Sequence, residues 1–133
     1  MTEVVLDASA LLAYLNEEPG AEAVEAALGQ GAVIGAANWA EVLSKVAESG
    51  GNPETLSEAL KARGLLGQAL RVLALLPEDA LSIANLRPMT KVLGLSLGDR
   101  ACLALGLRLG QAVLTTDRDW QRLSLNVEVR VVR

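Results

Sequence analysis

Short apolar segments alternate along the chain with longer segments of helical hydrophobic spacing. The apolar segments have the length of buried strands, and turn residues such as Pro19-Gly20 and Gly50-Gly51 separate the elements. The predicted strands are residues 3–6, 32–35, 72–76, 112–115 and 127–131. The predicted helices are residues 7–16, 21–30 and 37–49, one or two helices within 53–70, a helix from residue 78 that Pro88 bends or ends, residues 98–110, and a short helical turn near Trp120. This alternation predicts an α/β sandwich around a mostly parallel sheet.

Two of the predicted helices carry an acidic residue in an unusual place. The stripe that should face the core from helix 37–49 consists of Trp39, Val42, Leu43 and Val46. Glu41 lies roughly opposite that stripe, among small residues that would allow a second contact face there. Helix 98–110 is apolar nearly all round, which predicts burial on more than one face, and Asp99 stands in its first turn.

Composition narrows the chemistry that the chain can perform. With 133 residues, 51% of them hydrophobic, we expect one globular domain covering residues 1–133. The chain has no histidine and one cysteine, Cys102, which excludes histidine-based catalytic triads, histidine metal motifs and an internal disulfide. No apolar run approaches the roughly 20 residues of a membrane helix, and no signal peptide opens the chain. We therefore expect a soluble, cytoplasmic protein without a membrane partner.

The net charge of −4 conceals an uneven distribution. Residues 1–60 hold ten acids against one lysine, a net −9, whereas residues 61–133 hold eleven basic residues against six acids, a net +5. A polyanionic substrate is compatible with part of this surface, although a typical nucleic-acid binder is basic overall.

Four carboxylates have a placement that suggests a shared site. Asp7 and Asp117 each follow a predicted strand, at the edge where open α/β sheets bind ligands. Asp99 and Glu41 lie on the two helices described above. If the four converge, they form a pocket of hard oxygen ligands suited to Mg²⁺ or Mn²⁺. The alternative is that the three aspartates are ordinary helix caps and that Glu41 is a solvated helix residue.

Four further polar residues are candidates for a supporting role. Asp119 is a candidate fifth ligand or a surface acid in a turn. Ser9, Thr116 and Asn38 are placed to bond a ligand carboxylate or a water, and local turn bonding is their alternative role.

Four segments together resemble the motifs of the PIN-domain family, in particular its VapC-like toxins from toxin–antitoxin pairs. The segments are DASALLAYL, NWAEVLSKV, SLGDRACLALG and VLTTDRDW, and the resemblance covers essentially the whole chain in the right order. It implies a three-layer α/β/α sandwich. The residues that match the family's acidic quartet are Asp7, Glu41, Asp99 and Asp117; Asp119 and Ser9 match frequent additional positions, and Trp120 replaces the usual phenylalanine.

This resemblance implies an endoribonuclease that hydrolyses RNA phosphodiester bonds with Mg²⁺ or Mn²⁺. The quartet would hold one or two ions that activate a water and stabilise the leaving oxygen, with Glu41 either ligating directly or orienting the water. The candidates for contact with RNA phosphate are Arg100, Arg118 and Arg122. The family also implies a cognate antitoxin and a homodimer, for which residues 65–76 are candidate interface or plain core.

Two other interpretations remain open from the sequence. A catalytically silent PIN-like module would bind RNA or protein without cleavage. A receiver domain or a haloacid-dehalogenase-type phosphatase would also have an acidic pocket, but the latter class needs Asp-x-Asp after the first strand, where this chain has Asp7-Ala8-Ser9.

Overall fold

A five-stranded parallel sheet forms the centre of the protein, whose computed structural model describes residues 3–133. The strands are β1 (Val4–Leu6), β2 (Ala32–Gly35), β3 (Leu70–Leu73), β4 (Val113–Thr115) and β5 (Val129–Val131). Their order is β3-β2-β1-β4-β5, and every pairing is parallel. The strand β1 is therefore central, and the carboxyl ends of all strands meet at one edge.

Helices cover both faces of this sheet. They are α1 (Ala8–Leu15), α2 (Ala21–Gln30), α3 (Ala36–Glu48), α4 (Pro53–Ala62), α5 (Pro77–Thr90) and α6 (Leu97–Leu109), with a 3₁₀-helix at Arg118–Arg122. None of the helices among residues 3–133 combines the length and apolar character that a membrane crossing requires.

Alternation along the strands creates two separate cores. Leu6, Ile34 and Leu114 pack on one side with residues of α1, α2 and α4. Val5 and Val113, which lie directly opposite each other in neighbouring strands, pack on the other side with α5 and α6. The helix α3 contacts both α1 and α6 and so bridges the two layers. The predicted α/β/α sandwich is confirmed, and its sheet is parallel throughout.

The third strand lies two residues earlier than its predicted position at 72–76. Leu70 is fully buried and pairs with Ala32, whereas Leu75 lies beyond the strand and is half exposed. The apolar run alone does not distinguish these leucines, because the pairing with β2 selects the register. Within residues 65–76, Leu65, Leu66 and Leu70 lie in the core, whereas Val72 and Leu75 are exposed.

Pro88 does not end the fifth helix, which continues to Thr90. Pro88 has no N–H to donate to the Ala84 carbonyl, so the helix continues past it with one backbone hydrogen bond missing. The Thr90 hydroxyl donates to the Leu86 carbonyl at 2.8 Å and supplies a hydrogen bond in that turn.

The closest approach of α6 to the sheet occurs at Gly106. A Cβ atom there would lie 2.6 Å from a Val113 methyl and 3.0 Å from a Val127 methyl. We expect Gly106→Ala to lower the free energy of unfolding by about 1–3 kcal/mol through overpacking, although alanine is the better helix former. Urea denaturation checks this. Gly29→Ala on α2, where an added Cβ meets nothing within 4 Å, is the matched control and should not destabilise; equal losses in both variants would contradict the packing argument.

Candidate functional site

The carboxylate of Asp7 lies at the carboxyl end of the central strand and is almost completely buried, with 4% exposure. It caps α1, since Oδ1 accepts from the Ala10 amide at 2.8 Å. The same oxygen accepts from the Ser9 hydroxyl at 2.7 Å, and Oδ2 accepts from the Thr115 hydroxyl at 2.5 Å. Asp7 is thus both a helix cap and a fixed, buried acid.

Thr115, and not the predicted Thr116, is the hydroxyl that contacts Asp7. The register pairs Val5 with Val113 and Leu6 with Leu114, so continuing it places Asp7 opposite Thr115. Thr116 contributes its backbone amide, which donates to Ser9 Oγ at 3.0 Å. The sequence alone does not fix the register of β1 against β4, so no local pattern separates Thr115 from Thr116.

Asp99 stands in the first turn of α6, with its carboxylate turned back to the start of that helix. Oδ2 accepts from the Ser96 amide at 2.9 Å, and Ser96 Oγ accepts from the Asp99 amide at 3.1 Å, which forms a capping box. The middle of the helix that holds it, residues 101–106, is buried. The position of Asp99 is therefore fixed by a rigid element.

Glu41 lies on the face of α3 that packs against α6, and it is half-buried. Its Oε1 accepts from Asn38 Nδ2 at 2.9 Å, and the same amide donates to the Gly98 carbonyl at 2.9 Å. The second contact face predicted for Glu41 is therefore present. The predicted apolar stripe is only partly buried: Val42 is inaccessible, whereas Trp39, Leu43 and Val46 are half-buried, because the sandwich also buries the polar Asn38.

The charges of three of the four acids act on one side chain, the buried thiol of Cys102. Burial raises the pKa of this thiol well above its ordinary value, and the charges of Asp7, Asp99 and Glu41 act in the same direction. Elements that are remote in sequence thus bring these carboxylates to the same edge of the sheet.

Asp117 lies at the solvent-exposed rim of this group of acids. Its side chain is exposed and caps the 3₁₀-helix. Its Oδ1 accepts from the Asp119 amide at 2.9 Å. Its own amide donates to Thr115 Oγ1 at 3.1 Å, so that a single hydroxyl connects Asp117 to Asp7.

The remaining candidates have contacts outside this group of acids. Asp119 is exposed and lies 3.9 Å from Arg122 in a weak ion pair. Arg100 donates from Nη1 to the Ile83 carbonyl at 2.9 Å, and Arg118 donates to the Arg133 carbonyl at 3.3 Å.

Among its described contacts, Asp7 has no cationic partner of the kind that another buried acid has. Asp79 is also buried, and Arg108 Nε lies 2.9 Å from its carboxylate. The described hydrogen bonds of Asp7 come only from neutral hydroxyls and an amide. Burial accordingly raises the pKa of Asp7 to about 6, against the lowering effect of these three bonds, and the nearby charge of Asp99 adds to the increase.

A divalent cation suits this donor set chemically, since carboxylate oxygens are the ligands that Mg²⁺ and Mn²⁺ prefer and a cation would compensate the buried charge of Asp7. Within residues 3–133, however, no three acidic or thiol side chains already stand in an arrangement that would hold a metal ion. The carboxylates of Asp99 and Asp117 each accept a backbone capping bond, and Glu41 is bonded to Asn38. Metal binding would therefore require these side chains to turn toward a shared centre.

The fold and this group of acids define a class of α/β/α protein with an acidic pocket at the carboxyl edge of a parallel sheet. The sequence profile of the PIN domain matches residues 4–125. The chain belongs to the PIN domain family.

Solved structures of similar fold come from several bacteria. A toxin–antitoxin complex from Klebsiella pneumoniae is 17% identical with a TM-score of 0.68, and the match covers 94% of this chain and 98% of that one. VapBC2 from Rickettsia felis, bound to a promoter DNA fragment, is 14% identical with a TM-score of 0.72 over 98% of both chains. DNA-bound VapBC from Salmonella typhimurium is 17% identical with a TM-score of 0.72 over 100% of both. A comparison with curated proteins gives no significant match.

The uncompensated charge of Asp7 should destabilise the metal-free protein at neutral pH. Because the pKa of Asp7 is higher in the folded state (about 6) than its ordinary 3.8, folding stability falls as the pH rises through this range. Asp7→Asn keeps the shape without the charge, so in EDTA it should be more stable than wild type at pH 7, by up to about 3 kcal/mol, and show no such gain below pH 4. Chemical denaturation at both pH values measures this. An equal stability at pH 7 would contradict it.

Proposed function

We propose that this protein is a metal-dependent endoribonuclease of the VapC type, which hydrolyses RNA phosphodiester bonds. PIN domains are generally nucleases. The observation that carries the proposal is the buried Asp7 carboxylate, which has no cationic partner among its described contacts while Asp99 and Glu41 lie nearby. A buried carboxylate without a cationic partner destabilises the folded protein. A metal-binding role would explain why such a destabilising residue is present.

Each member of the quartet has a distinct part in the proposed chemistry. A bound Mg²⁺ or Mn²⁺ would supply Lewis-acid stabilisation of the phosphodiester and a more acidic water. Asp7 and Asp99 are the proposed direct ligands, because strand β1 and helix α6 hold them on rigid elements. Asp117 is the proposed ligand at the exposed rim of the group of acids, where substrate can reach it. Glu41, which Asn38 orients, would ligate or accept a proton from the attacking water.

The residues around the quartet divide into supports and substrate contacts. Ser9 and Thr115 hold the Asp7 carboxylate through their hydroxyls. Arg118 and Arg122 are exposed at the two ends of the 3₁₀-helix that follows Asp117, which suits contact with RNA phosphate. Arg100 is a weaker candidate, since its guanidinium already donates to Ile83. Asp119 forms an ion pair with Arg122, and we propose that this contact orients the arginine side chain.

We further propose that an antitoxin protein and a second copy of the chain are its partners in the cytoplasm. The similar structures are described as toxin–antitoxin complexes. Large apolar side chains are exposed on this protein, and they include Leu75, Leu81, Met89, Val92 and Leu97. Exposed apolar side chains of this size support an interface with protein.

The alternative is a PIN module that binds RNA or protein without cleavage. The observation that favours it is that Asp99 and Asp117 already satisfy backbone amides as helix caps. Cleavage assays separate the two functions directly.

Charge removal at the two proposed direct ligands should abolish cleavage. In the presence of Mg²⁺ or Mn²⁺, Asp7→Asn and Asp99→Asn should each lower the rate of RNA cleavage by at least about 100-fold, the upper end of what loss of a supporting residue costs at a metal site. Asparagine can still accept the capping bonds, so both variants should remain folded. EDTA should stop wild-type cleavage.

Glu25→Gln on the exposed face of α2 is the control for charge removal and should cleave as wild type does. Cleavage that persists in EDTA, or full activity in both aspartate variants, would overturn the metal mechanism. RNA binding without cleavage by the wild type would instead support the silent module.

Expression of the wild-type protein should arrest bacterial growth if it is a toxin, and Asp7→Asn should not. Arrest that coexpression of the protein encoded beside it relieves would support an antitoxin partner. Normal growth during wild-type expression, with cleavage activity retained in vitro, would indicate a nuclease outside a toxin–antitoxin pair.

A further inference from the structure

A buried polar side chain connects the two helices that carry Glu41 and Asp99. Asn38 is 1% exposed, and both described hydrogen bonds of its side chain come from Nδ2. One goes to Glu41 Oε1 on the same helix, and the other goes to the Gly98 carbonyl at the start of α6, each at 2.9 Å. The amide therefore connects the Glu41 carboxylate to the residue that precedes Asp99.

The carbonyl oxygen of this amide lacks a hydrogen-bond donor among the described residues. Asn38 Oδ1 is buried and has no hydrogen-bond partner among residues 3–133. Rotating the amide by half a turn would put Oδ1 against two acceptors, the Glu41 carboxylate and the Gly98 carbonyl, so the observed orientation is the one that the contacts allow. Because an unpartnered buried carbonyl lowers stability, the benefit of asparagine at this position lies in what Nδ2 holds.

Gly98 leaves the space that the Glu41 carboxylate occupies. A Cβ atom at this position would lie 2.5 Å from Oε2, 2.7 Å from Cδ and 2.8 Å from Oε1 of Glu41. The backbone of Gly98 is helical and does not belong to the positive-φ glycines. Glycine is the poorer helix former at such a position, so its conformational freedom does not explain its presence. The explanation that remains is steric room.

We propose that Asn38 and Gly98 together are positioning residues that fix the Glu41 carboxylate relative to Asp99 at the candidate metal site. This inference rests on the proposed function. Gly98 admits the carboxylate against the first turn of α6, and Asn38 holds one of its oxygens there. Because Gly98 and Asp99 are adjacent in the chain, the same backbone sets the positions of both acids.

The test uses Asn38→Leu, which keeps the branching at Cγ and removes the donor, and Gly98→Ala, which adds the obstructing Cβ. Each should weaken Mn²⁺ binding, measured by calorimetry, by about 10- to 100-fold, as loss of residues that orient a metal ligand typically does. Each should lower RNA cleavage with Mn²⁺ as well. Melting temperatures in EDTA should stay equal to wild type or rise, since the Gly98 carbonyl keeps its helical partner and Glu41 has a flexible side chain that can move aside.

A double-variant comparison shows whether the effect passes through Glu41. In a Glu41→Ala background, neither Asn38→Leu nor Gly98→Ala should weaken Mn²⁺ binding further. Gly29→Ala is the control for an added methyl in a helix and should leave Mn²⁺ affinity and cleavage unchanged.

Three outcomes would overturn the positioning role. They are Mn²⁺ affinity and RNA cleavage that are both unchanged in the two variants, a lower melting temperature in both that accounts for the lost binding, and full additivity with Glu41→Ala. A wild-type protein that binds Mn²⁺ but cleaves no RNA would overturn the proposed function alone, because Mn²⁺ affinity would still test the positioning role of Asn38 and Gly98. A wild type that does not bind Mn²⁺ would overturn both.

Discussion

The arrangement of the protein depends on burying one carboxylate, that of Asp7, at the end of the central strand. Its neutral donors come from two places: Ser9 and the Ala10 amide in the first turn of α1, and Thr115 at the end of β4. The bond from Thr115 can form only when β1 and β4 are paired in the observed register. The carboxylate thus connects the register of the sheet, the beginning of the first helix and the geometry of the acidic pocket, while its charge opposes the burial that makes this possible.

The pocket has a stability cost that the rest of the fold offsets. Asp7 is buried without a cation, and the Oδ1 atom of Asn38 is buried without a donor. The two apolar cores on either side of the sheet provide the burial that compensates. Buried Asp79 shows the contrast, because its pairing with Arg108 makes it a structural acid that ties α5 to α6. The absence of such a cation at Asp7 distinguishes a candidate functional acid from a structural one.

Most of the fold followed from local patterns, and the exceptions are informative. The order of strands and helices, the buried α6 and the bounds of α2 follow from periodicity and from glycine and proline positions, because these depend on nearby residues. The position of β3 did not, since several leucines compete and only pairing with β2 selects Leu70. Pro88 does not end α5, because the packing of that helix against α6 offsets one lost backbone hydrogen bond. The prediction of the apolar stripe on α3 was only partly right, since the two packed layers also bury the polar Asn38.

Residue types and their spacing along the chain are enough to predict the α/β alternation, the four candidate acids and the chemistry that a chain without histidine can perform. Tertiary packing is needed to establish which acids lie near one another, that Thr115 and not Thr116 bonds Asp7, and that Gly98 makes room for Glu41. The physical reason is that a contact between residues far apart in the chain depends on strand register and helix packing, which arise from the summed burial of both cores and leave no local signature in the sequence.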